Sequence, residues 1–273
     1  MNYNSLLGSK LAKYFNKKYG IITYSGTLAI EVALKSLKLK RKSKVLISSN
    51  VCYSIINTVL KLGLVPVIKT PNNGLFFTND DIDVVIDKEI IDCILLVHQF
   101  GILNNISKRK YKKLNIKIIE DVAQAWNLKD NNGMNNIGID SDIVVTSFGS
   151  TKPISYGIGG GLFFDNKKIF KEIDFCDNES REKQGIILSY AYPLCKEIKL
   201  DYLLEKANEI VNEQRLCARE YSNVLLNQKT IKYINYEQNS GNVWHRFPMW
   251  VENQKTFEKI KKILEKVEKI IEI

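Results

Sequence analysis

Ile116-Lys117-Ile118-Ile119-Glu120-Asp121-Val122-Ala123-Gln124-Ala125 is the stretch that decides the fold. A brief, mostly apolar run bounded by polar residues reads as a strand buried on both faces, and here it ends on two carboxylates. Similar runs recur at 45–47, 93–97 and 143–146, with helix-period stretches at 28–37 and 54–62 between them. Strand–helix alternation of this kind predicts an α/β fold, a mostly parallel sheet flanked by helices on both faces. Ligands in such folds collect at the carboxyl ends of the strands. Asp121, His98 and Ser147 each stand at or just past such an end, so one crevice is expected to hold all three.

Outward from that strand, Ser147-Phe148-Gly149-Ser150-Thr151-Lys152 leads into Tyr156-Gly157-Ile158-Gly159-Gly160-Gly161. Lys152 lies in a Ser/Thr/Gly/Pro loop after a strand, a constrained place rather than a solvated helix face. Far upstream, Ser25-Gly26-Thr27 opens a helical pattern. Together these offer an amine for an aldehyde, a carboxylate for a ring nitrogen and a cradle for a phosphate, the three needs of pyridoxal phosphate (PLP). The amine reacts in its neutral form, which desolvation or neighbouring positive charge favours. The ring nitrogen stays protonated beside a carboxylate, here Asp121, and that lets the ring act as an electron sink. A phosphate sits well on backbone N–H groups at a helix N-terminus, and Gly26 and Thr27 supply them. Ser147 is a second phosphate donor, Gln124 a hydrogen-bond donor to the ring hydroxyl, and Tyr53 a ring to stack on the cofactor. Each has a plainer reading too. Ser-Gly-Thr is also an ordinary helix cap, Asp121 a cap for the residues after it, and Tyr53 a half-buried aromatic.

The order Ser-Gly-Thr, aromatic loop, His98-Gln99-Phe100-Gly101, Glu120-Asp121-x-Ala-Gln, Ser-Phe-x-x-x-Lys and glycine-rich turn resembles the DegT/StrS group of PLP-dependent sugar aminotransferases, of fold type I. The resemblance runs from about Leu11 to Asp165. It implies that Lys152 attaches covalently to the cofactor, and that Asp121 binds the pyridine nitrogen and Gln124 the ring hydroxyl. It implies further that Gly26, Thr27 and Ser147 bind the phosphate, that Tyr53 stacks on the ring, and that His98 lies near the cofactor. The implied reaction moves an amino group from an amino acid, usually glutamate, to a keto group on a nucleotide-linked sugar, with Lys152 shuttling the proton. Relatives that dehydrate deoxysugars carry histidine in place of the lysine, so Lys152 argues for transamination. Sites of this fold type are built across a dimer interface, which implies a homodimer. The family's Gly-Tyr-Asn-Tyr-Arg segment is not visible; Asn178 and Arg181 are its loose substitutes at the substrate side. Two other readings stay open: another PLP enzyme on the same scaffold, such as a dehydratase or a small-substrate aminotransferase, and a reduced homologue that binds PLP without turnover.

Beyond Phe164 the pattern changes. Residues 200–226 form a long charged helical stretch, 243–251 a candidate strand, and 256–273 an amphipathic helix with apolar residues at steps of three and four. The boundary falls near 165–185, giving a PLP-binding α/β domain at 1–175 and a reduced α+β small domain at 176–273. The 273 residues are 45% hydrophobic and 26% charged, ordinary for a globular enzyme, and no run approaches the roughly 20 apolar residues of a membrane span. Five scattered cysteines, none in a C-x-x-C pair, argue against disulfides or zinc, and no metal is expected. No signal-peptide layout is seen, so a cytoplasmic location is expected. The net charge of +10 favours anionic partners such as a sugar nucleotide, and no nucleic-acid module is recognisable.

Overall fold

A computed structural model describes residues 3–128, 137–169, 200–227 and 231–266. The elements run α1 (Tyr3–Tyr14), β1 (Tyr19–Thr23), α2 (Gly26–Ser36), β2 (Lys44–Ser48), α3 (Tyr53–Lys61), β3 (Val65–Lys69), α4 (Asn79–Ile86), β4 (Cys93–Val97), α5 (Lys108–Lys113), β5 (Lys117–Asp121), β6 (Ile143–Ser147) and β7 (Gly160–Phe164). There follow α6 (Leu200–Leu225), β8 (Ile231–Tyr233), β9 (Met249–Val251) and α7 (Gln254–Lys266). The first seven strands form one sheet in the order β1-β7-β6-β5-β4-β2-β3. From β6 through β5, β4 and β2 to β3 every pairing is parallel, and β7 runs antiparallel to both β1 and β6. The mostly parallel α/β sheet read from the sequence is thus observed, as are the four predicted strands. The glycine-rich stretch at 157–161 is only partly a turn: its last two residues begin β7, inserted between β1 and β6.

Alternation along the strands sorts their side chains onto two faces. Val45, Ile47, Cys93, Leu95, Ile119, Ile143 and Val145 pack with the apolar sides of α2 and α3. Leu46, Ile94, Leu96 and Ile118 face the other way, against Phe77, Ile82 of α4 and Tyr111 of α5. Val144, Ile22 and Phe163 meet Leu11, Ala12, Phe15 and Trp126 on that second face, where α6 adds Ala207 and Val211. Because β4, β5 and β6 are buried on both sides, they read as continuous apolar runs rather than alternating ones.

Local chemistry starts the helices where the sheet needs them. Ser25 caps α2, its Oγ accepting from Leu28 N at 3.1 Å. Thr78 and Asp81 form a reciprocal capping box at α4. The C-terminal expectations are adjusted in detail. Within 243–251 only Met249–Val251 is strand, paired antiparallel with Ile231–Tyr233. The last helix is described from Gln254 to Lys266, and the remainder of its predicted range, like the expected boundary at 175/176, lies outside the described residues.

The sheet also buries an ionic network. Glu120, 1% exposed, accepts from Lys108 Nζ at 2.7 Å and from Gly138 N at 2.7 Å, and His98 Nε2 stands 3.4 Å from it. Burial opposes ionisation, but Lys108 and His98 outweigh it and hold the carboxyl at about 2, against an ordinary 4.5. A carboxyl depressed on folding contributes stability that is full above its unfolded pKa and lost as pH falls toward the folded value. A gap of this size corresponds to about 3 kcal/mol. Chemical denaturation of Glu120→Gln should therefore show a lower stability at neutral pH and a flatter decline between pH 4.5 and 2 than the wild type. Parallel pH curves for the two proteins would contradict this account of Glu120.

Candidate active site

Strand alternation at the end of β5 decides which carboxylate faces the crevice. Asp121 shares the parity of Ile119 and turns toward α2 and α3, while Glu120 turns the opposite way. In the next strand Ser147 shares the parity of Ile143 and Val145, so it ends on the same face as Asp121. Asp121 stands in register between Val97 and Val145, with apolar β-branched neighbours on both sides. Its Oδ1 accepts from Ala123 N at 2.9 Å, a local turn. The residues after it form turns rather than a helix, so Asp121 is no helix cap. Burial pushes its carboxyl above the usual range, against the Ala123 N–H and the charges of Lys152 and His98. Among the described residues it forms no ion pair. A desolvated carboxylate of this kind is stabilised by a cation placed against it, and a protonated ring nitrogen is one.

The N-terminus of α2 opens beside Ser147. A Cβ on Gly26 would lie 2.7 Å from Ser147 Cβ and 3.1 Å from its Oγ, and one on Gly160 would lie 2.5 Å from the Ser25 carbonyl. Only glycine permits this approach, which brings the first turn of α2 against the ends of β6 and β7. The N–H groups of Gly26 and Thr27, like those of any first helical turn, have no intrahelical acceptor. The Ser147 hydroxyl accepts from Gly149 N at 3.2 Å. A phosphate fits this cradle of first-turn amides and two hydroxyls. Ser25 does cap the helix, as the plainer reading of Ser-Gly-Thr has it.

Lys152 projects from a loop anchored around it. Phe148 and Ile154 are buried, Phe148 against Trp126 with ring centroids 5.8 Å apart. Lys152 N donates to Gly149 O at 3.0 Å and Tyr156 N to Phe148 O at 2.9 Å. Lys152 is half-buried, and its charge acts on Asp121, Cys52 and His245. Tyr53 begins α3 and is 71% exposed, a ring laid open rather than half-buried. The side chain of Gln124 is engaged with the loop after β4: its Oε1 accepts from Phe100 N at 2.9 Å and its Nε2 donates to Gln99 Oε1 at 3.3 Å. His98 is 1% exposed and grouped with Glu120 on the other face, its Nδ1 accepting from Asn104 N at 3.1 Å. It therefore braces the sheet behind Asp121 instead of lining the open side. Asn178 and Arg181 lie outside the described residues.

Two neighbours of Lys152 drew no assignment from the sequence. Cys52 caps α3, and the Ser54 hydroxyl donates to its sulfur at 3.2 Å; that bond, reinforced by Lys152, lowers the thiol's pKa. His245 lies against the lysine loop, its pKa pushed down to about 4 by burial first and then by Arg246 and Lys152. His245 lies in the stretch read from the sequence as a candidate strand, and no short-range signal ties it to a loop 94 residues away.

Comparison with solved structures shows the fold. The fold matches NtdA of Bacillus subtilis with bound cofactor PMP at a TM-score of 0.75 and 24% identity, covering 97% of this chain and 62% of that one. It matches E. coli GDP-4-keto-6-deoxy-D-mannose-3-dehydratase with bound hydrated PLP equally well, at 0.75 and 15% identity over 98% of this chain and 76% of that one. Residues 2–271 match the model of the DegT/DnrJ/EryC1/StrS aminotransferase family, and the chain belongs to that family. Among its relatives, 3-oxo-glucose-6-phosphate:glutamate aminotransferase of Bacillus subtilis (strain 168) is 25% identical over 260 residues, covering 89% of this chain and 56% of that protein. GDP-perosamine synthase of Escherichia coli O157:H7 is 23% identical over 259 residues, covering 91% and 68%. The chain thus spans little more than half the length of the first of these relatives.

The cradle is testable without turnover. Gly26→Ala should weaken PLP binding about tenfold or more in a fluorescence titration, because the added methyl presses α2 off Ser147. Unchanged affinity would mean that the phosphate sits elsewhere.

Proposed function

We propose that this protein is a PLP-dependent aminotransferase that moves an amino group from an amino acid, glutamate by preference, to a keto sugar nucleotide. One observation carries the reading: Asp121, Ser147, the first turn of α2 and Lys152 meet at the carboxyl ends of β5 and β6, on one face of the sheet. Bound there, the cofactor supplies an aldehyde and an electron-withdrawing ring. Gly26, Thr27 and Ser147 hold the phosphate. Asp121, already desolvated, pairs with the ring N–H and keeps it protonated. Lys152 would hold the aldehyde and would be the base and acid for the substrate's α-proton. Gln124, whose side chain is bonded to Phe100 N and Gln99 Oε1, would also hydrogen-bond the ring hydroxyl, and Tyr53 would stack on the ring.

The net charge of +10 supports an anionic acceptor. The names of the relatives support a sugar carrying phosphate, as a nucleotide or as a simple phosphate. Exposed Tyr24, Tyr53 and Ile158, set beside the crevice, support a second copy completing the site as a homodimer. No described helix is long and apolar enough to cross a membrane; we place the enzyme in the cytoplasm with the nucleotide sugars it uses. Asn178 and Arg181 remain its candidate substrate contacts, in a C-terminal part at 176–273 that follows a cofactor-binding part at 1–175.

The visible spectrum with added PLP tests the cofactor and the half-reaction. Wild type should show a yellow band that Lys152→Ala lacks and that glutamate bleaches. Asp121→Ala should keep the band but lose about 100-fold or more of the bleaching rate. A band indifferent to glutamate would leave a PLP-binding protein without this activity. Keto sugar nucleotides should restore the band after bleaching, and restoration only by a keto sugar phosphate would move the acceptor to the class named for the B. subtilis relative. Sedimentation at micromolar concentration should give a dimer; a monomer alone would count against the shared site.

A further inference from the structure

We propose that His245 is a positioning residue for Lys152, holding the peptide unit from which the lysine projects. His245 Nε2 lies 3.0 Å from the Thr151 carbonyl oxygen. A carbonyl only accepts, so Nε2 carries the proton and donates. Nδ1 is then an acceptor, and it faces the Gln214 side-chain nitrogen of α6 at 3.4 Å, a matching donor. The Thr151 carbonyl and the Lys152 N–H belong to one peptide unit, and the N–H donates to Gly149 O at 3.0 Å. Both poles of that unit are thereby pinned, one by the lysine's own loop and one by a residue 94 positions away. With the plane fixed, the Cα of Lys152 and the origin of its side chain are fixed too.

His245 is itself held firmly. Val243 N donates to Gly101 O at 2.8 Å, and Arg246 N to Phe100 O at 3.4 Å. Gly101, at φ 75°, leaves no room for a side chain: a Cβ there would lie 2.7 Å from Val243 Cβ and 3.1 Å from His245 N. Trp244 takes φ 59°, a left-handed conformation that a bulky residue keeps only where its surroundings over-determine it. Its ring is 2% exposed, stacks on Phe247 and donates to Asn239 O at 3.2 Å. Arg215 of α6 donates to the carbonyls of Gly241 and Asn242 and ties the same segment to Asn127. A strained, tightly held backbone thus presents one imidazole to the loop that bears the reactive amine. The C-terminal part of the chain in this way reaches the loop that bears Lys152.

The consequence for turnover rests on the aminotransferase reading, but the loop contact does not. His245→Met keeps much of the bulk and removes the donor; His245→Gln keeps an N–H of similar reach. Without any cofactor, H245M should speed hydrogen exchange at the Lys152 and Tyr156 amides about fivefold or more, and H245Q should stay near wild type. The amides of β4 to β6 should be unaffected in both. With PLP, H245M should slow the glutamate half-reaction about 10- to 100-fold, with glutamate KM within about twofold of wild type, and H245Q should recover most of the rate. Equal exchange in H245M and wild type, or equal defects in H245M and H245Q, overturns the proposal. A wild type that forms no lysine-dependent band defeats the aminotransferase reading alone, since the exchange comparison still decides the loop contact. Should H245M not fold, H245Q against H245E, of the same length without a donor, makes the same comparison.

Discussion

Everything at the site depends on the two-residue period of β5. Neighbouring side chains on a strand point to opposite faces, so Glu120 and Asp121, adjacent in sequence, are separated by the full thickness of the sheet. One enters a buried network with Lys108 and His98, where its negative charge is matched. The other enters an apolar row between Val97 and Val145, where it forms no ion pair among the described residues and burial raises its pKa against the charges of Lys152 and His98. The same dipeptide therefore supplies a structural ion pair and a chemical acid. A slip of one residue in register would exchange them.

The division extends through the molecule. The α2/α3 face carries the crevice, because the parallel strands β5 and β6 end there beside the first turns of α2 and α3. The opposite face carries the weight of α1, α4, α5 and α6, with the largest buried rings, Trp126, Tyr111 and Phe15. His98 belongs to this second face. Its contacts with Asn104 and Glu120 keep it behind the acid it accompanies in sequence. Close packing makes such a backing wall rigid, which suits a site whose parts must hold their spacing while a proton moves.

How much of this was legible in the chain follows from the range of each interaction. Buried parallel strands have nearly all-apolar sequences, so β2, β4, β5 and β6 announced themselves. The edge and exposed strands did not: β3 carries Pro66 and two exposed apolar residues, and β7 opens on Gly160-Gly161, which resembles a turn. β7 is a strand because the helix terminus at Ser25 and Gly26 requires a neighbour with no side chain there, a steric demand that only the folded chain imposes. Asp121 also reads as a helix cap, yet the chain after it turns locally through Asp121 Oδ1 and Ala123 N instead. A short polar side chain competing for the backbone accounts for that difference.

The sequence by itself determined which groups are the candidates for the site: one lysine in a constrained loop, one acid at a strand end, one small-residue helix start, in a fixed order. Those are local properties, set by residue type and by spacing of a few positions. Which face each group occupies, which carboxylate of the pair forms no ion pair among the described residues, and which residue of the C-terminal part reaches the lysine loop were decided only in three dimensions. The bond from His245 to Thr151 closes a loop of 94 residues. Its ends meet because a strained tryptophan, two glycine-lined contacts and an arginine clamp bring them together, and no pattern along the chain encodes a distance of that kind.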